Sequence, residues 1–206
     1  MGPTTKHMGA DFAVFWEMIW QESVSIIVML TNLKELGVPK CDKYWPDRGS
    51  QGLYGDAQVT CLSEDILADY TIRTFTVQKA TQKRKLYQMH FTSWPDKGIP
   101  ESVNSLTEFQ KRVNNLNIVT PGPVVVHCSA GIGRTGTYIA LDILTKEGRS
   151  EKYVDIFACA RNMREDRVNM IQTADQYIFL LQVSSACAIR LSSSGVFMLI
   201  DIVVKQ

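Results

Sequence analysis

Histidine is scarce in this 206-residue sequence. Only His7, His90 and His127 occur, far apart, so a zinc site built from histidine and cysteine has few ligands to draw on. Cysteine is limited to Cys41, Cys61, Cys128, Cys159 and Cys187. The number is odd, the spacings are long and no C-x-x-C occurs, which argues against a disulfide framework and for reduced thiols in a cytosolic compartment. An excess of charge of either sign is missing as well: 22 basic residues face 21 acidic ones, for a net charge of +1. No global field then draws the chain to nucleic acid or to an anionic membrane, and any affinity for anions has to come from a local site. No apolar run approaches the roughly 18 residues of a membrane span. The longest, Ile26 to Leu30 and Gly195 to Val204, are short, and Asp201 interrupts the second. No basic segment leads into an apolar one near the start, so no signal peptide is read.

What remains is the composition of a folded chain. Hydrophobic residues at 45% and charged residues at 21% argue against disorder, and the length suits one domain or two small ones. Phe12, Phe15, Trp16 and Ile19 recur at helical spacing after Asp11. Ser25 to Leu30 is short, branched and continuous, as in a buried strand. Leu33 to Gly55 is rich in Gly and Pro and reads as a long loop or hairpin region. Strands are predicted at Ala57 to Cys61, Tyr70 to Gln78 and Lys85 to Phe91, forming an antiparallel patch. A turn-rich loop, Thr92 to Pro100, precedes a helix carrying Leu106, Phe109, Val113 and Leu116, with Ser105 and Glu108 at capping-box spacing. A second buried strand is expected at Val124 to Val126. It is followed by a Gly-rich loop and a helix to about Leu144 that stops near Gly148. Two further helices hold Val154 to Arg161 and, from Thr173, Tyr177, Leu180 and Leu181. The fold class is α/β with a central mixed sheet flanked by helices.

The informative stretch is VVVHCSAGIGRTG, Val124 to Gly136. Glycines let backbone N–H groups turn toward a ligand with no Cβ in the way. A helix that begins just after the loop aims its positive end at the same point. Arg134 adds a planar fork that fits two phosphate oxygens. Together they make a pocket for a dianion, with Cys128 at its base. The field that holds phosphate also favours a thiolate, which makes Cys128 a candidate nucleophile. A nucleotide-binding Walker loop is disfavoured, since it ends in Gly-Lys-Ser/Thr and no lysine stands at that point.

The string VHCSAGIGRTG resembles the active-site loop of the protein tyrosine phosphatases, a cysteine-dependent, metal-free family. Three further segments resemble the family in order: KCDKYWPD (40–47), the acid loop around Trp94-Pro95-Asp96, and MIQTADQYIF (170–179). The resemblance covers about Asp11 to Gln182 and is strongest to receptor-type catalytic domains. It implies phosphotyrosine-containing proteins as partners, no cofactor and no metal. A cytoplasmic location is implied, and a membrane-receptor parent stays open. Cys128 would form a cysteinyl-phosphate, with Ser129, Ala130, Gly131, Ile132, Gly133 and Arg134 holding the phosphate oxygens. Asp96 would act as general acid and then base. Thr135 would help the thiolate leave, and Gln172 would orient water. Gln176 matches a partner of Gln172, but Thr173 and Gln176 fit a helix capping box equally well. Glu35 aligns with an acid that pairs with the loop arginine, or is a solvated loop charge. His127 reads as a buried hydrogen-bonding neighbour of Cys128 rather than a base.

Two departures from the family pattern stand out. The chain opens near the family's Gln-Gly-Pro segment, at Gly2-Pro3, so the recognition loop carrying Asn-Arg-Tyr is expected to be missing and the domain incomplete on its N-terminal side. The run after Gln182 has no recognisable counterpart. Residues 1–10 then read as frayed, 11–182 as a partial catalytic domain and 183–206 as an atypical tail. The leading reading is a catalytic tyrosine phosphatase. Its rival is an inactive or weakly active pseudophosphatase that binds phosphotyrosine partners; dual specificity toward phosphoserine is weaker.

Overall fold

The computed structural model describes residues 12–95, 98–116 and 122–192, with side chains through residue 184. The N-terminal segment 1–10, Asp96 and the stretch 195–204 lie outside the described residues. The chain divides into two compact units. One contains residues up to 96 together with 104–130, the other 97–103 and the chain from 131 onward.

The first unit is built on a six-stranded mixed sheet, in the order β4-β5-β6-β7-β1-β8. The strands are β1 (Ile26–Met29), β4 (Gln51–Tyr54), β5 (Ala57–Ile66), β6 (Tyr70–Lys79), β7 (Gln82–Phe91) and β8 (Val124–His127). A separate hairpin pairs β2 (Lys34–Glu35) with β3 (Val38–Pro39). β4 through β7 are antiparallel neighbours, whereas β1 runs parallel to both β7 and β8.

Helix α1 (Ala13–Gln21) places Phe15, Trp16 and Ile19 on one face of this sheet, in a core with Ile27, Met29, Tyr44, Phe75, Val77 and Leu86. Trp16 is fixed there by its indole N–H, which donates to the Tyr44 carbonyl at 2.9 Å. Helix α2 (Val103–Asn114) packs on the opposite face. Phe109 meets Tyr70 and Phe91, which pair across β6 and β7 on the side away from Phe75 and Leu86. With a helix on each face, β1 is buried throughout, which accounts for its unbroken apolar run.

The second unit contains α3 (Gly133–Ser150), α4 (Ile156–Asp166) and α5 (Ala174–Ser192). α4 is capped by Asp155, whose carboxylate accepts from the Ala158 N–H at 2.8 Å.

Several local expectations are corrected. β8 is a strand but not a buried one: Val124 is exposed, and Val125 to His127 are half-buried, because among the described residues β8 is the edge of the sheet and pairs with β1 alone. α2 begins at Val103, so Ser105 lies inside the helix and Ser105–Glu108 is not its capping box; the helix also ends before Leu116. α3 runs through Gly148 to Ser150. A Cβ at Gly148 would approach Val154 Cγ1 at 3.2 Å, so this glycine serves close packing rather than termination. The Gly/Pro-rich stretch does hold hairpins, as expected: β2 pairs with β3, and Gln51–Tyr54 forms a strand because β5 offers it an edge to pair with.

Candidate active site

The loop VHCSAGIGRTG joins the two units. It leaves the first from β8 and enters the second as the start of α3. Cys128 is buried at the strand end, and none of Cys41, Cys61, Cys128 and Cys159 is in a disulfide. Ser129 is half-buried and Ala130 exposed. Gly131 takes φ +70°, a left-handed conformation that favours glycine. Its α-carbon faces the Arg167 guanidinium, which a Cβ would meet at 3.2 Å.

Ile132, the N-cap of α3, makes no side-chain cap of its own, and no acidic residue lies in the first turn, so the positive end of the helix faces no opposing charge from that turn. Gly133 is buried beneath Gln172 and Gln176: a Cβ there would lie 3.1 Å from Gln172 Oε1 and 3.0 Å from Gln176 Nε2. Both glutamines are thereby brought against the helix start that carries Arg134 and Thr135. Thr135 is buried and Arg134 half-buried.

Gln172 is aimed by a strained backbone. Ile171 has φ +60°, which is costly for a β-branched residue. Three groups hold it there. The Ile171 N–H donates to the Ile132 carbonyl at 3.3 Å. Arg164 donates from Nε to the Met170 carbonyl and from its terminal nitrogen to the Ile171 carbonyl, both at 2.9 Å. Neither Ile171 nor Arg164 was singled out from the sequence, because the strain shows only in backbone angles.

Gln176 does cap α5. Its Oε1 accepts from the Gln172 N–H at 2.9 Å and the Thr173 N–H at 3.4 Å, while its own N–H donates to Thr173 Oγ1 at 3.3 Å. That is a capping box, and it also orders the residue before the helix.

In the first unit, Glu35 is buried rather than a solvated loop charge. Its Oε1 accepts from Thr31 Oγ1 at 3.1 Å and the Asn32 N–H at 3.0 Å. His127 places Nδ1 3.2 Å from the Cys128 carbonyl and Nε2 2.8 Å from the Tyr44 hydroxyl. A carbonyl can only accept, so Nδ1 carries the proton and Nε2 accepts from Tyr44. Burial holds the imidazole well below its ordinary 6.5, to about 4, against the opposing pull of the Cys128 carbonyl. His127 is thus a neutral neighbour of the cysteine. Burial also raises the Tyr44 phenol far above its usual value and keeps its proton on. Trp94 is buried against Phe91, and the loop's first residues are anchored through Thr92, whose N–H donates to the Asp69 carbonyl. Asp96 itself lies outside the described residues.

The family model for protein-tyrosine phosphatase matches residues 3–186. The chain belongs to the protein tyrosine phosphatase family. Among its relatives, receptor-type tyrosine-protein phosphatase U of Gallus gallus is 45% identical over 168 residues, covering 81% of this chain and 12% of that protein. Putative receptor-type tyrosine-protein phosphatase mosPTP-1 of Aedes aegypti is 46% identical, covering 86% of this chain and 14% of its own length. Tyrosine-protein phosphatase 99A of Drosophila melanogaster is 44% identical, covering 82% and 14%. The phosphatase chain thus spans a small part of each of these relatives. No helix among its described residues is long and apolar enough to cross a membrane.

Proposed function

We propose that this chain hydrolyses phosphotyrosine in proteins through a cysteinyl-phosphate intermediate. The observation that carries the reading is the Cys128-to-Arg134 sequence running directly into the start of α3, whose first turn holds no acidic residue. Such a start suits a dianion, and the loop delivers a thiol to the same few residues.

In the first step Cys128 Sγ attacks phosphorus. The S–P bond forms, the P–O bond to tyrosine breaks, and Asp96 gives its proton to the leaving phenolate. The N–H groups of Ser129 to Arg134 and the Arg134 guanidinium hold the three equatorial oxygens. In the second step water oriented by Gln172 attacks phosphorus and gives a proton to Asp96. The S–P bond breaks, Thr135 donates a hydrogen bond to the departing thiolate, and inorganic phosphate leaves. Partners are phosphotyrosine-containing proteins on the cytoplasmic side. No metal or cofactor takes part.

The test is phosphate release from a phosphotyrosine peptide and from a phosphoserine peptide, in chelator, with wild type and Cys128→Ser. Turnover of the phosphotyrosine peptide alone, abolished in the variant, is expected. Turnover retained by Cys128→Ser, or activity that returns only with added divalent metal, overturns the mechanism.

A further inference from the structure

A chain of buried and half-buried polar side chains runs through the first unit from Arg73 on β6 to the backbone of Cys128, and its members alternate in the roles they can take. One Arg73 terminal nitrogen donates to Gln88 Oε1 at 3.0 Å and lies 3.2 Å from His90 Nδ1. Gln88 Nε2 donates to the Tyr44 hydroxyl at 2.8 Å. Tyr44 in turn meets His127 Nε2 at 2.8 Å, and His127 Nδ1 meets the Cys128 carbonyl at 3.2 Å. Gln88 and Tyr44 are fully buried, away from bulk solvent.

We propose that Arg73 and Gln88 are positioning residues for the Cys128 loop, because together they fix the direction of every hydrogen bond in this chain. A guanidinium only donates. Arg73 therefore holds the Gln88 oxygen toward itself and turns the amide nitrogen to Tyr44. Tyr44 receives that hydrogen and gives its own to His127 Nε2 at 2.8 Å, a much better acceptor than the Met29 sulfur at 3.8 Å. His127 is left with its proton on Nδ1, facing the Cys128 carbonyl. Across a trans peptide, carbonyl and N–H point to opposite sides. Anchoring the Cys128 carbonyl therefore fixes the direction of the Ser129 N–H, one of the groups assigned above to the phosphate. The same logic sets His90 the other way. Its Nδ1 accepts from Arg73, so Nε2 holds the proton and donates to the Thr31 carbonyl at 2.8 Å. Arg73 is itself seated by Glu64, which accepts from its Nε, and by the Trp45 ring 4.8 Å beneath its carbon. The role in catalysis rests on the function proposed above; the direction of the hydrogen bonds does not.

The test uses nitrogen-15 histidine spectra at neutral pH in a His7→Gln background, where two histidines remain. Wild type should show His127 protonated at Nδ1 and His90 at Nε2. Gln88→Glu keeps the shape and gains an ion pair with Arg73, but it can only accept. Tyr44 then turns its proton to the new carboxylate, and the His127 proton moves to Nε2 while His90 is unchanged. kcat/KM on a phosphotyrosine peptide should fall on the order of 10–10²-fold, the scale of a small misplacement. Gln88→Met leaves Tyr44 able to donate to His127, so the wild-type tautomer persists and the loss is smaller. An unchanged His127 tautomer in Gln88→Glu overturns the proposal, as does a kcat/KM no lower than that of Gln88→Met. Should Gln88→Glu not fold, Arg73→Met releases the same amide, and an unaltered His127 signature there is equally fatal. An inactive wild type with the stated tautomers would count against the proposed function and leave the hydrogen-bond direction standing.

Discussion

Gly136 and Ile171 touch backbone to backbone: a Cβ placed on Gly136 would lie 2.5 Å from the Ile171 nitrogen. Neither atom sits on a flexible side chain, so the clash can be relieved only by moving α3 away from the segment that aims Gln172. Gly136→Ala should cost on the order of 1–3 kcal/mol of stability as overpacking and should lower kcat through Gln172. Gly148→Ala, in the same helix, meets only a valine methyl at 3.2 Å. The gain of alanine over glycine in a helix, about 1 kcal/mol, offsets that contact. Thermal melts of the two variants should separate them; equal melting temperatures would refute the packing argument.

Stability should fall as pH drops from about 6.5 toward 4. Burial, with Arg73 nearby, lowers the His90 pKa from 6.5 to about 4, outweighing the hydrogen bond to the Thr31 carbonyl. In that window the unfolded chain takes up a proton that folded His90 refuses, so the unfolded state is favoured, by at most about 1.4 kcal/mol per pH unit for this residue. Above the window both states are neutral and the dependence vanishes. His127 adds to the effect in the same sense. Urea midpoints at several pH values should show the slope, reduced by about one proton in His90→Gln. A flat profile over this range would show that neither histidine is held neutral.

The capping and catalytic readings of Gln176 separate by substitution. Gln176→Glu keeps the acceptor for the Gln172 and Thr173 N–H groups and puts a negative charge where a helix start favours one. Its melting temperature should stay close to wild type. The same charge stands against Gly133, where a phosphate would be repelled, so KM should rise. Thr173→Ala removes the other half of the box and should cost about 1 kcal/mol with KM unchanged. A rise in KM in both, or in neither, would mean that the box and the phosphate site are not distinct.

Much of the framework was legible from local pattern. The helical spacing of Phe12, Phe15, Trp16 and Ile19 and the continuous run of β1 each reflect burial that periodicity encodes. What escaped depends on partners distant in sequence. The exposure of Val124 follows from β8 being the sheet edge, which strand order decides. The strand at Gln51–Tyr54 exists because β5 pairs with it. The chemistry proposed for Cys128 to Arg134 rests on contiguous residues, so it can be proposed from the string alone. Arg73 could not be read in this way, since Gln88 meets it through the β6–β7 register and Tyr44 meets Gln88 through the fold of the stretch before β4.

The acid role proposed for Asp96 has a signature that does not depend on where its side chain lies. A general acid matters in proportion to how badly the leaving group needs a proton. Asp96→Ala should lower kcat on a phosphotyrosine peptide by roughly 10²–10⁴, the usual worth of a positioned acid. On an aryl phosphate whose phenol is already acidic, the loss should shrink, because that phenolate departs without help. Wild type should therefore show rates nearly independent of the leaving-group pKa, and the variant a steep dependence on it. The pH profile should change with it: the limb on which the acid must stay protonated disappears in the variant, while any limb due to thiolate formation remains. Measuring kcat across a series of substituted phenyl phosphates decides the matter, since parallel lines for wild type and Asp96→Ala would remove Asp96 from the proton transfer and leave Cys128 and Arg134 without an identified acid.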